Sequence, residues 1–367
     1  MLVAGAGPAG ATAALNLAPT RSVLLIDIRS RASLESGASV LAGESLPPAA
    51  RRLLTDMGLF DAFLGQGHAP CYGNRSVWGR EMAVETDFLR DPDGHGWHLD
   101  RARFECWLRH IATGRGAILK AESRIEHAAR DGSGWTVRLA TATGVKTMRA
   151  RFLIDAGGRF APLARHLGAR PEKRDRMVCS WLHGHARETG VGAGFTFVEA
   201  VEQGWWYTAP LPLGKRILAF HTDADLPVAR TLDSLMENDR AAPELAATLH
   251  ACGFSPTDRL RMTIAGGALS TPSAGPGWLA AGDAAVSFDP LSAQGLLNAL
   301  YTGLAAAAAA DSFLNGDGTS MERYASRIRE IAEAYDHHRA LWYGLEMRWP
   351  AAPFWKRRHH TPLAGVP

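Results

Sequence analysis

Three short segments place an acidic residue and glycines directly after an apolar run, and these residues can do chemistry together. The three acids are Asp27, Asp155 and Asp283. An ionised carboxylate accepts hydrogen bonds from ligand hydroxyl groups, and glycines allow the backbone to approach a ligand closely. A Gly-Asp pair after a strand is also a common turn, so one segment alone indicates little. Together the three predict a site for one large, extended dinucleotide.

The first segment, Gly5-Ala6-Gly7-Pro8-Ala9-Gly10, fits G-x-G-x-x-G between an apolar strand and a helix. In this pattern Gly5 permits a tight turn, Gly7 admits a pyrophosphate and Gly10 allows close helix packing. Asp27 ends the next strand, about twenty residues after the glycine motif, where it can bind a ribose hydroxyl. Whether residues precede Met1 is left open. The contacts predicted here are Gly5, Gly7, Pro8, Ala9, Gly10, Asp27 and Arg29.

The other two segments predict further approaches of the backbone to the same ligand. The apolar strand 152–154 ends in Asp155-Ala156-Gly157-Gly158, and the strand 278–281 ends in Gly282-Asp283. A loop follows, and then a long Leu/Ala helix whose first N–H groups can face an anionic or electron-rich part of the ligand. The contacts predicted here are Asp155, Gly157, Gly282, Asp283, Gln294, Gly295 and Leu296.

Three charged or polar residues near helix starts have open roles. Arg101 stands at the start of the helix predicted over 102–112, where a cation opposes the helix dipole. Its partner is therefore either an anion such as pyrophosphate or the neighbouring Asp100. Glu44, ahead of the helix predicted over 49–64, is either a functional carboxylate or an acid that favours the helix dipole. Ser45 beside it is a predicted cofactor contact.

Antiparallel strands predicted between residues 175 and 225 form a second domain. His183 and His185 fall on one strand face, as polar lining of a pocket rather than as a metal pair without a third ligand. The segment 204–210 carries aromatic residues on both faces, of which one is core and the other can line a pocket. We predict Trp205, Tyr207 and Pro290 as substrate-pocket residues.

Composition excludes several classes of protein. With 46% hydrophobic and 21% charged residues the chain is ordinary globular protein. The net charge is +3 and no long basic stripe occurs, which gives no indication of nucleic-acid binding. The 4 cysteines are scattered without C-x-x-C, so neither a metal site nor a disulfide framework is expected. No apolar run is long enough to span a membrane and no secretory pattern precedes the first strand, which predicts a cytoplasmic protein.

These motifs together resemble the FAD-dependent monooxygenase and halogenase superfamily, which shares the para-hydroxybenzoate hydroxylase type of fold. The resemblance covers nearly the whole chain. It implies that the glycine motif and Asp27 bind the ADP half of FAD and that the turn at 155–158 lies near the pyrophosphate. It also implies that Gly282-Asp283 holds the ribitol and that the loop 290–296 lies beside the isoalloxazine. Arg101 matches the flavin-binding arginine of the family.

Four segments resemble one group of this superfamily more specifically: 43–48, 96–101, 289–295 and 354–358. That group matures cysteine tryptophylquinone enzymes and includes the tryptophan hydroxylase of quinohemoprotein amine dehydrogenase. The resemblance implies oxygenation of a Trp side chain within a partner polypeptide.

The sequence departs from the tryptophan halogenases, the nearest rival group, at three points. Their W-x-W-x-I-P motif is Trp-Trp-Tyr-Thr-Ala-Pro at 205–210. Their catalytic lysine is expected near 74–77, but residues 1–119 contain no lysine. Their Ser-Thr-Gly halide loop is Ala293-Gln294-Gly295. Without an ammonium to position hypohalous acid, hydroxylation is favoured over halogenation.

The implied reaction begins when reduced FAD and O2 give a C4a-hydroperoxide that transfers OH to an electron-rich aromatic ring. A base near the ring would help, and Glu44, His98 and His183 are candidates among which the sequence does not choose. No second Rossmann unit is evident, so the electrons come from transient contact with NAD(P)H or from a separate flavin reductase. Three alternatives stay open: a halogenase or hydroxylase of small aromatic molecules, a polyprenyl reductase-like flavoprotein, and a non-catalytic flavin-bearing assembly factor.

The expected fold is α/β (α+β), with a Rossmann-like FAD-binding domain, an inserted antiparallel-sheet substrate domain and C-terminal helices. We assign residues 1–70, 95–170 and 260–310 to the FAD-binding domain. Residues 71–94 and 171–259 form the substrate domain, and 311–367 form the helical segment. The basic end of this segment, 356–360, is either a solvated tail or a docking patch.

Overall fold

The structure is a computed structural model, and it describes residues 1–36, 44–132, 134–187, 193–228, 231, 235 and 242–359. Parts of three sequence predictions lie outside these residues: Gly43 of the loop 43–48, positions 236–241 of a surface helix that the sequence also predicts over 235–252, and His360 of the basic tail.

A six-stranded sheet forms the centre of the region that is predicted to bind FAD. Across the sheet its strands are Ala274–Gly275, Trp278–Ala280, Leu153–Asp155, Leu2–Ala4, Leu24–Ile26 and Ile118–Lys120. All neighbours are parallel except the first pair. Ala4 is paired with both Ile26 and Asp155, and Asp155 with Ala280. The carboxyl ends of parallel strands meet at one edge, so the three glycine-and-acid segments lie side by side there.

An eight-stranded sheet forms the second region. In spatial order it contains Ser255–Pro256, Met177–His185, Lys215–Asp223, Gly204–Leu211, Phe195–Val201, Gly73–Val77 and Val84–Asp87, while Arg261–Ile264 pairs with Met177–His185 beside Ser255–Pro256. The sequence analysis assigned 260–264 to the FAD-binding domain. The register shows this segment as an edge strand of the eight-stranded sheet.

The two faces of this sheet bury different partners. One face carries Trp206, Leu218 and Phe220 and packs against Leu245 and Leu249 of the helix Pro243–Ala251. The other carries Trp205 and Ala219 and packs against Tyr343, Phe354 and Trp355 from the C-terminal helices. Side chains alternate between the faces of a strand. The aromatic residues on the two faces of the strand Gly204–Leu211 therefore belong to two separate hydrophobic cores.

Three smaller sheets complete the strands. One is the meander Ser123–Asp131, Gly134–Thr141 and Gly144–Ala150, and another contains Arg170–Lys173, Ala268–Thr271 and Val286–Ser287. The third has Gly96–His98 between Ser45–Leu46 and Ala69–Cys71. This third sheet joins the two regions of the molecule.

The α-helices are Pro8–Leu17, Arg31–Ser36, Ala50–Asp56, Phe60–Leu64, Arg101–Gly114, Pro162–His166, Pro243–Ala251, Gly295–Leu314, Ser320–Leu345 and Pro353–His359. The single helix predicted over 49–64 is wrong: it breaks into two at Gly58, whose φ of 68° is left-handed and ends a helix. The mixed α/β fold class is confirmed. Within the described ranges no helix has the length and apolarity to cross a bilayer.

Candidate active site

The glycine turn after the first strand has the close packing that its sequence predicts. A Cβ on Gly5, whose φ is 104°, would lie 2.2 Å from the Ala156 carbonyl oxygen. A Cβ on Gly10 would lie 1.8 Å from the Gly5 carbonyl oxygen. At Gly7, by contrast, the space around an added Cβ is open to 4 Å. The turn is therefore packed on its inner side and open at the position that should admit a pyrophosphate.

The helix Pro8–Leu17 begins at this opening. Among the described residues no side chain caps its start, and its first turn contains no acid. The first N–H groups of a helix lack partners within the helix and attract anions. Pro8 and Ala9 thus lie where the sequence places phosphate contacts, and the geometry fits a dinucleotide there.

Asp27 is held in place by its own neighbours. One carboxylate oxygen accepts from the Ala6 N–H at 2.8 Å, and both oxygens accept from the Arg29 guanidinium at 2.9 Å. Burial acts to raise the pKa of Asp27, but the hydrogen bonds and charge of Arg29 outweigh it and the pKa is lowered. The carboxylate is ionised and oriented beside the glycine turn. Its bond to a ribose hydroxyl remains a prediction.

Arg101 belongs to a buried charge network that the sequence analysis missed. Glu105 is 4% exposed and lies 2.7 Å from the Arg101 guanidinium, 3.4 Å from that of Arg109 and 3.5 Å from that of Arg29. Burial acts to raise the pKa of Glu105, but the three cations, Arg101 foremost, lower it. Among the described residues Arg101 forms an ion pair with Glu105, while Asp100 accepts from the Arg103 N–H, and contact of Arg101 with the cofactor stays a prediction. The spacing of residues 101, 105 and 109 was the available signal, because residues four apart meet on a helix.

The second segment forms a tight turn. The Asp155 carboxylate accepts from the N–H groups of Gly157 at 2.8 Å and Ala164 at 2.7 Å, and it is fully buried. Burial raises the pKa of Asp155, with these amides opposing the shift. A Cβ on Gly157 would lie 2.7 Å from Pro162. Asp155 thus fixes the backbone of Gly157, and cofactor contact by either residue stays a prediction.

The third segment presents an accessible acid. Asp283 has 32% of its side chain exposed, and one carboxylate oxygen lies 3.2 Å from Nε of Arg159. Gly282 is required by packing, since its φ is 62° and a Cβ would lie 2.7 Å from that of Ala9. Arg159 also donates to the carbonyl groups of Gly266 and Phe288. It therefore links the second segment to the third, a role that its sequence position did not indicate.

The loop after Asp283 ends at a helix start that is open to solvent. Gln294 and Gly295 are exposed, and no side chain of the described residues caps the helix Gly295–Leu314. Leu296 is buried in the core beneath, and Pro290 is half-buried. The N-terminus of a 20-residue helix favours negative charge or an electron-rich ring edge. This fits the predicted place of the isoalloxazine.

Two tyrosines of the helix Ser320–Leu345 anchor the loop that contains Asp289. The Tyr343 hydroxyl donates to the Asp289 carboxylate at 2.6 Å, and the Asp289 N–H donates to the Tyr335 hydroxyl at 2.7 Å. Asp289 also accepts from the Leu291 N–H at 2.9 Å. Trp205 in turn donates its indole N–H to the Tyr343 hydroxyl at 3.2 Å. The loop, the C-terminal helix and the large sheet are therefore joined at one buried point.

Trp205 and Tyr207 differ in their surroundings. Trp205 is 1% exposed and stacks on His221 with ring centroids 3.7 Å apart, so the structure places it in the core. Its part in a substrate pocket stays a prediction. Tyr207 is half-buried, and its hydroxyl lies 2.9 Å from that of Ser45. Burial, with the Glu44 charge second, raises the pKa of Tyr207, so its hydroxyl keeps its proton.

Glu44 and His183 come together beside Tyr207. Glu44 is 1% exposed, and one of its carboxylate oxygens lies 3.6 Å from Nε2 of His183. Nδ1 of His183 lies 3.4 Å from a carboxylate oxygen of Asp258. An imidazole between two carboxylates can take up a proton and be held in one orientation. Asp258 was not predicted, because nothing in the sequence relates it to a histidine on another strand.

His98, the third candidate base, has a different environment. It is fully buried, and its Nε2 lies 2.9 Å from the Thr196 hydroxyl. Burial, with the Arg216 charge second, lowers the pKa of His98 to about 3. A ring held neutral in this way is a poor proton acceptor near neutral pH. The geometry therefore favours Glu44 and His183 over His98.

Curated relatives match this chain over nearly its whole length, and two of them are described here. LodB of Marinomonas mediterranea, named as an FAD-dependent oxidoreductase, is 27% identical over 98% of this chain and 96% of its own length. The tryptophan 2-halogenase of Chondromyces crocatus is 23% identical over 95% of this chain and 66% of its own length.

Two solved structures are similar throughout. The flavin-dependent halogenase CmlS has a TM-score of 0.82 at 22% identity, over 98% of this chain and 67% of its own. The peptidyl tryptophan dihydroxylase QhpG has a TM-score of 0.75 at 26% identity, over 100% of this chain and 79% of its own. The family model described as tryptophan halogenase matches residues 78–365. The chain is an FAD-dependent oxidoreductase that belongs to the tryptophan halogenase family.

Proposed function

We propose that this protein is an FAD-dependent monooxygenase that hydroxylates the indole ring of a Trp within a partner polypeptide, during maturation of a tryptophylquinone enzyme. Its other reactant is O2. The electrons come from a separate flavin reductase or from NAD(P)H. The FAD cofactor and the aromatic substrate follow from the family. The choice of hydroxylation and of a polypeptide substrate is the proposal.

The observation that carries this proposal is the set of side chains beside Tyr207: a carboxylate and an imidazole, without an ammonium. Residues 1–119 contain no lysine. The strand Gly73–Val77, where a halogenase lysine is expected, offers Arg75 instead. Arg75 is paired with Phe197 and Tyr207 with Val198, so Arg75 and Tyr207 point to opposite faces of the sheet. The Arg75 guanidinium lies 3.0 Å from Glu244 on that far face.

The likeness to QhpG supports the polypeptide substrate. QhpG is described as a peptidyl tryptophan dihydroxylase essential for tryptophylquinone cofactor biogenesis, and it matches this chain from end to end at 26% identity. LodB also matches over nearly its whole length at 27% identity.

Bound FAD would supply the activation of O2 and the transfer of oxygen to the ring. Residues around Gly7, Asp27 and Gly295 would bind and orient it. Hydroxylation of an aromatic ring releases a proton from the carbon that is attacked. We propose that His183 takes up this proton together with Glu44 and Asp258, whose carboxylates would stabilise the imidazolium and fix its orientation. Glu44 at the inner end of this cluster is shielded from water, whereas Asp258 at the other end has 36% of its side chain exposed.

Halogenation of an aromatic substrate is the second candidate. It is favoured by the family match over residues 78–365 and by the TM-score of 0.82 to CmlS, against 0.75 to QhpG. In this case a group other than lysine would have to position the hypohalous acid. The sequence has 5 lysines in all, at 120, 146, 173, 215 and 356.

An oxygen-uptake and mass-spectrometry assay tests both candidates. The purified flavoprotein with a flavin reductase and NADH is offered either free tryptophan or an immature subunit of a cysteine tryptophylquinone enzyme, with chloride and bromide present. We expect the subunit alone to gain the mass of one or two oxygen atoms. Tandem mass spectrometry should place the gain on Trp. Halogen on either substrate would contradict the proposal, as would oxygen uptake that yields only hydrogen peroxide.

A further inference from the structure

We propose that the edge strand Arg261–Ile264 docks the substrate polypeptide by adding one of its segments as a further strand of the eight-stranded sheet. This inference rests on the proposed function, since it requires a polypeptide substrate. It names the surface that binds this substrate and the chemistry of the segment that fits.

The backbone of this strand has hydrogen-bonding groups that face outward. It pairs antiparallel with Met177–His185, with Ile264 opposite Val178 and Met262 opposite Ser180. The next residue, Ala265, donates its N–H to the carbonyl of Met177. Bonded and non-bonded pairs alternate along an antiparallel ladder. Met262 and Ile264 are therefore the non-bonded members, whose N–H and C=O groups point away from the sheet.

The side chains at this edge differ from those at the opposite edge. Met262 is 59% exposed and Ile264 is 61% exposed, and both lie on one face of the strand. The opposite edge strand, Val84–Asp87, carries Glu85 and Asp87. Charged residues at an edge oppose the addition of another strand, whereas an apolar edge with open backbone groups permits it. The edge at Arg261–Ile264 thus combines two exposed apolar side chains with open backbone groups, which favours the addition of a strand there.

A row of side chains leads from this edge to the candidate active site. The Arg261 guanidinium lies 5.8 Å from the centroid of the Trp181 ring. The Trp181 ring is 5.3 Å from that of His183, and His183 lies 3.6 Å from Glu44. Arg261 is opposite Trp181 in the ladder, so these residues share one face of the sheet. A polypeptide bound at the edge therefore enters beside the site.

Charge indicates the kind of segment that binds. The guanidinium groups of Arg261 and Arg259 make no hydrogen bond or ion pair within the described part of the chain, and Nε of Arg261 is buried. A guanidinium that is partly desolvated and without a carboxylate gains most from an anionic partner. The structure therefore favours an extended segment that places an Asp or Glu beside Arg261 and apolar side chains beside Met262 and Ile264.

The test compares two substitutions at this edge with one at the opposite edge. Met262→Pro removes an outward N–H without breaking the internal ladder, and Met262→Lys keeps the backbone but adds an edge charge. The control is Glu85→Pro on the opposite edge. The Phe88 N–H donates to the Tyr72 carbonyl, so by the same alternation the N–H and C=O groups of residue 85 also face outward. The probe is the immature cysteine tryptophylquinone subunit, with binding followed by biolayer interferometry and oxygenation by mass spectrometry.

We expect both Met262 variants to bind the subunit about tenfold more weakly or worse, and Glu85→Pro to bind it like the wild type. Flavin content, melting temperature and oxygen uptake without substrate should not change. If the wild type and both variants bind and oxygenate the subunit equally, the docking inference is wrong and the proposed function stands. If the wild type neither binds nor oxygenates the subunit, both fail. If the variants alter only self-association, the edge serves a second copy of this chain instead.

Discussion

His98 provides a test of the electrostatic argument that separates the candidate bases. The ring is fully buried, with Thr196 as the partner of Nε2, and its pKa falls from 6.5 to about 3. In the unfolded chain the ring should titrate near its ordinary pKa. On acidification His98 therefore takes up a proton in the unfolded state at pH values at which it stays neutral in the folded state. The stability contributed by the neutral ring is complete above pH 6.5 and is lost as the pH falls towards 3.

The size of this effect at pH 5 depends mainly on the unfolded pKa. Each unit of pH between the two pKa values costs about 1.4 kcal/mol, so pH 5 lies about 1.5 units into the range and the loss is about 2 kcal/mol. The result holds for any folded pKa well below 5. His98→Gln should also lower the free energy of unfolding at every pH by about 1–3 kcal/mol through the lost hydrogen bond to Thr196. Only the first effect depends on pH.

Urea denaturation of the wild type and of His98→Gln at pH 7.5 and pH 5 separates the two effects. The loss of stability between the two pH values should be about 2 kcal/mol smaller in the variant. Other buried histidines contribute equally to both proteins and cancel in the difference. An equal loss in both proteins would show that His98 takes up a proton in the folded state. It would then again be a candidate base.

Three further outcomes follow from the site. Gly10→Ala should abolish flavin binding, because the added Cβ would lie 1.8 Å from the Gly5 carbonyl oxygen. Flavin content is measured from the absorbance of the purified protein at about 450 nm. His183→Asn should lower kcat for oxygenation by about 10²–10⁴ while flavin content stays unchanged, and an unaltered kcat would exclude it as the base. Glu105→Gln should destabilise the protein by about 3–5 kcal/mol in urea, because buried guanidinium groups lose their carboxylate. The exposed Glu35→Gln, which also breaks an ion pair with arginine, should cost about 0–1 kcal/mol in the same assay.

The sequence predicted the fold around the glycine turn well because its signals are local. Gly5, Gly7 and Asp27 lie within one strand–turn–helix–strand unit, where residue type and spacing reflect backbone geometry directly. The antiparallel strands predicted between residues 175 and 225 are also present, since alternation and turn residues mark such strands. Asp155 and Gly282 lie at the same edge of the six-stranded sheet simply because the strands that precede them are parallel.

The contacts that define the reactive cluster were beyond local patterns. Asp258 reaches His183 because two strands pair, and nothing near either residue indicates that pairing. Trp205 was predicted to line the substrate pocket and is found 1% exposed in the core, because alternation gives two faces but not what covers each. Tyr343 covers one of them from a helix that is distant in the chain. Such contacts depend on tertiary packing, which sequence periodicity does not encode.

The hydrogen bond between Asp289 and Tyr343 has a consequence for the order in which the chain matures. Synthesis proceeds from the N-terminus, and early regions can fold before later ones exist. The side chains that orient Asp27 and Glu105 are made by residue 109, and the Ala156 turn against which Gly5 packs follows by residue 158, whereas the loop at 289–295 lacks its anchors until residues 335 and 343 have been made. The predicted adenine end of the cofactor site can thus form earlier in translation than the predicted flavin end. We therefore expect a nascent chain to hold the nucleotide half of FAD before it can position the ring that reacts with oxygen.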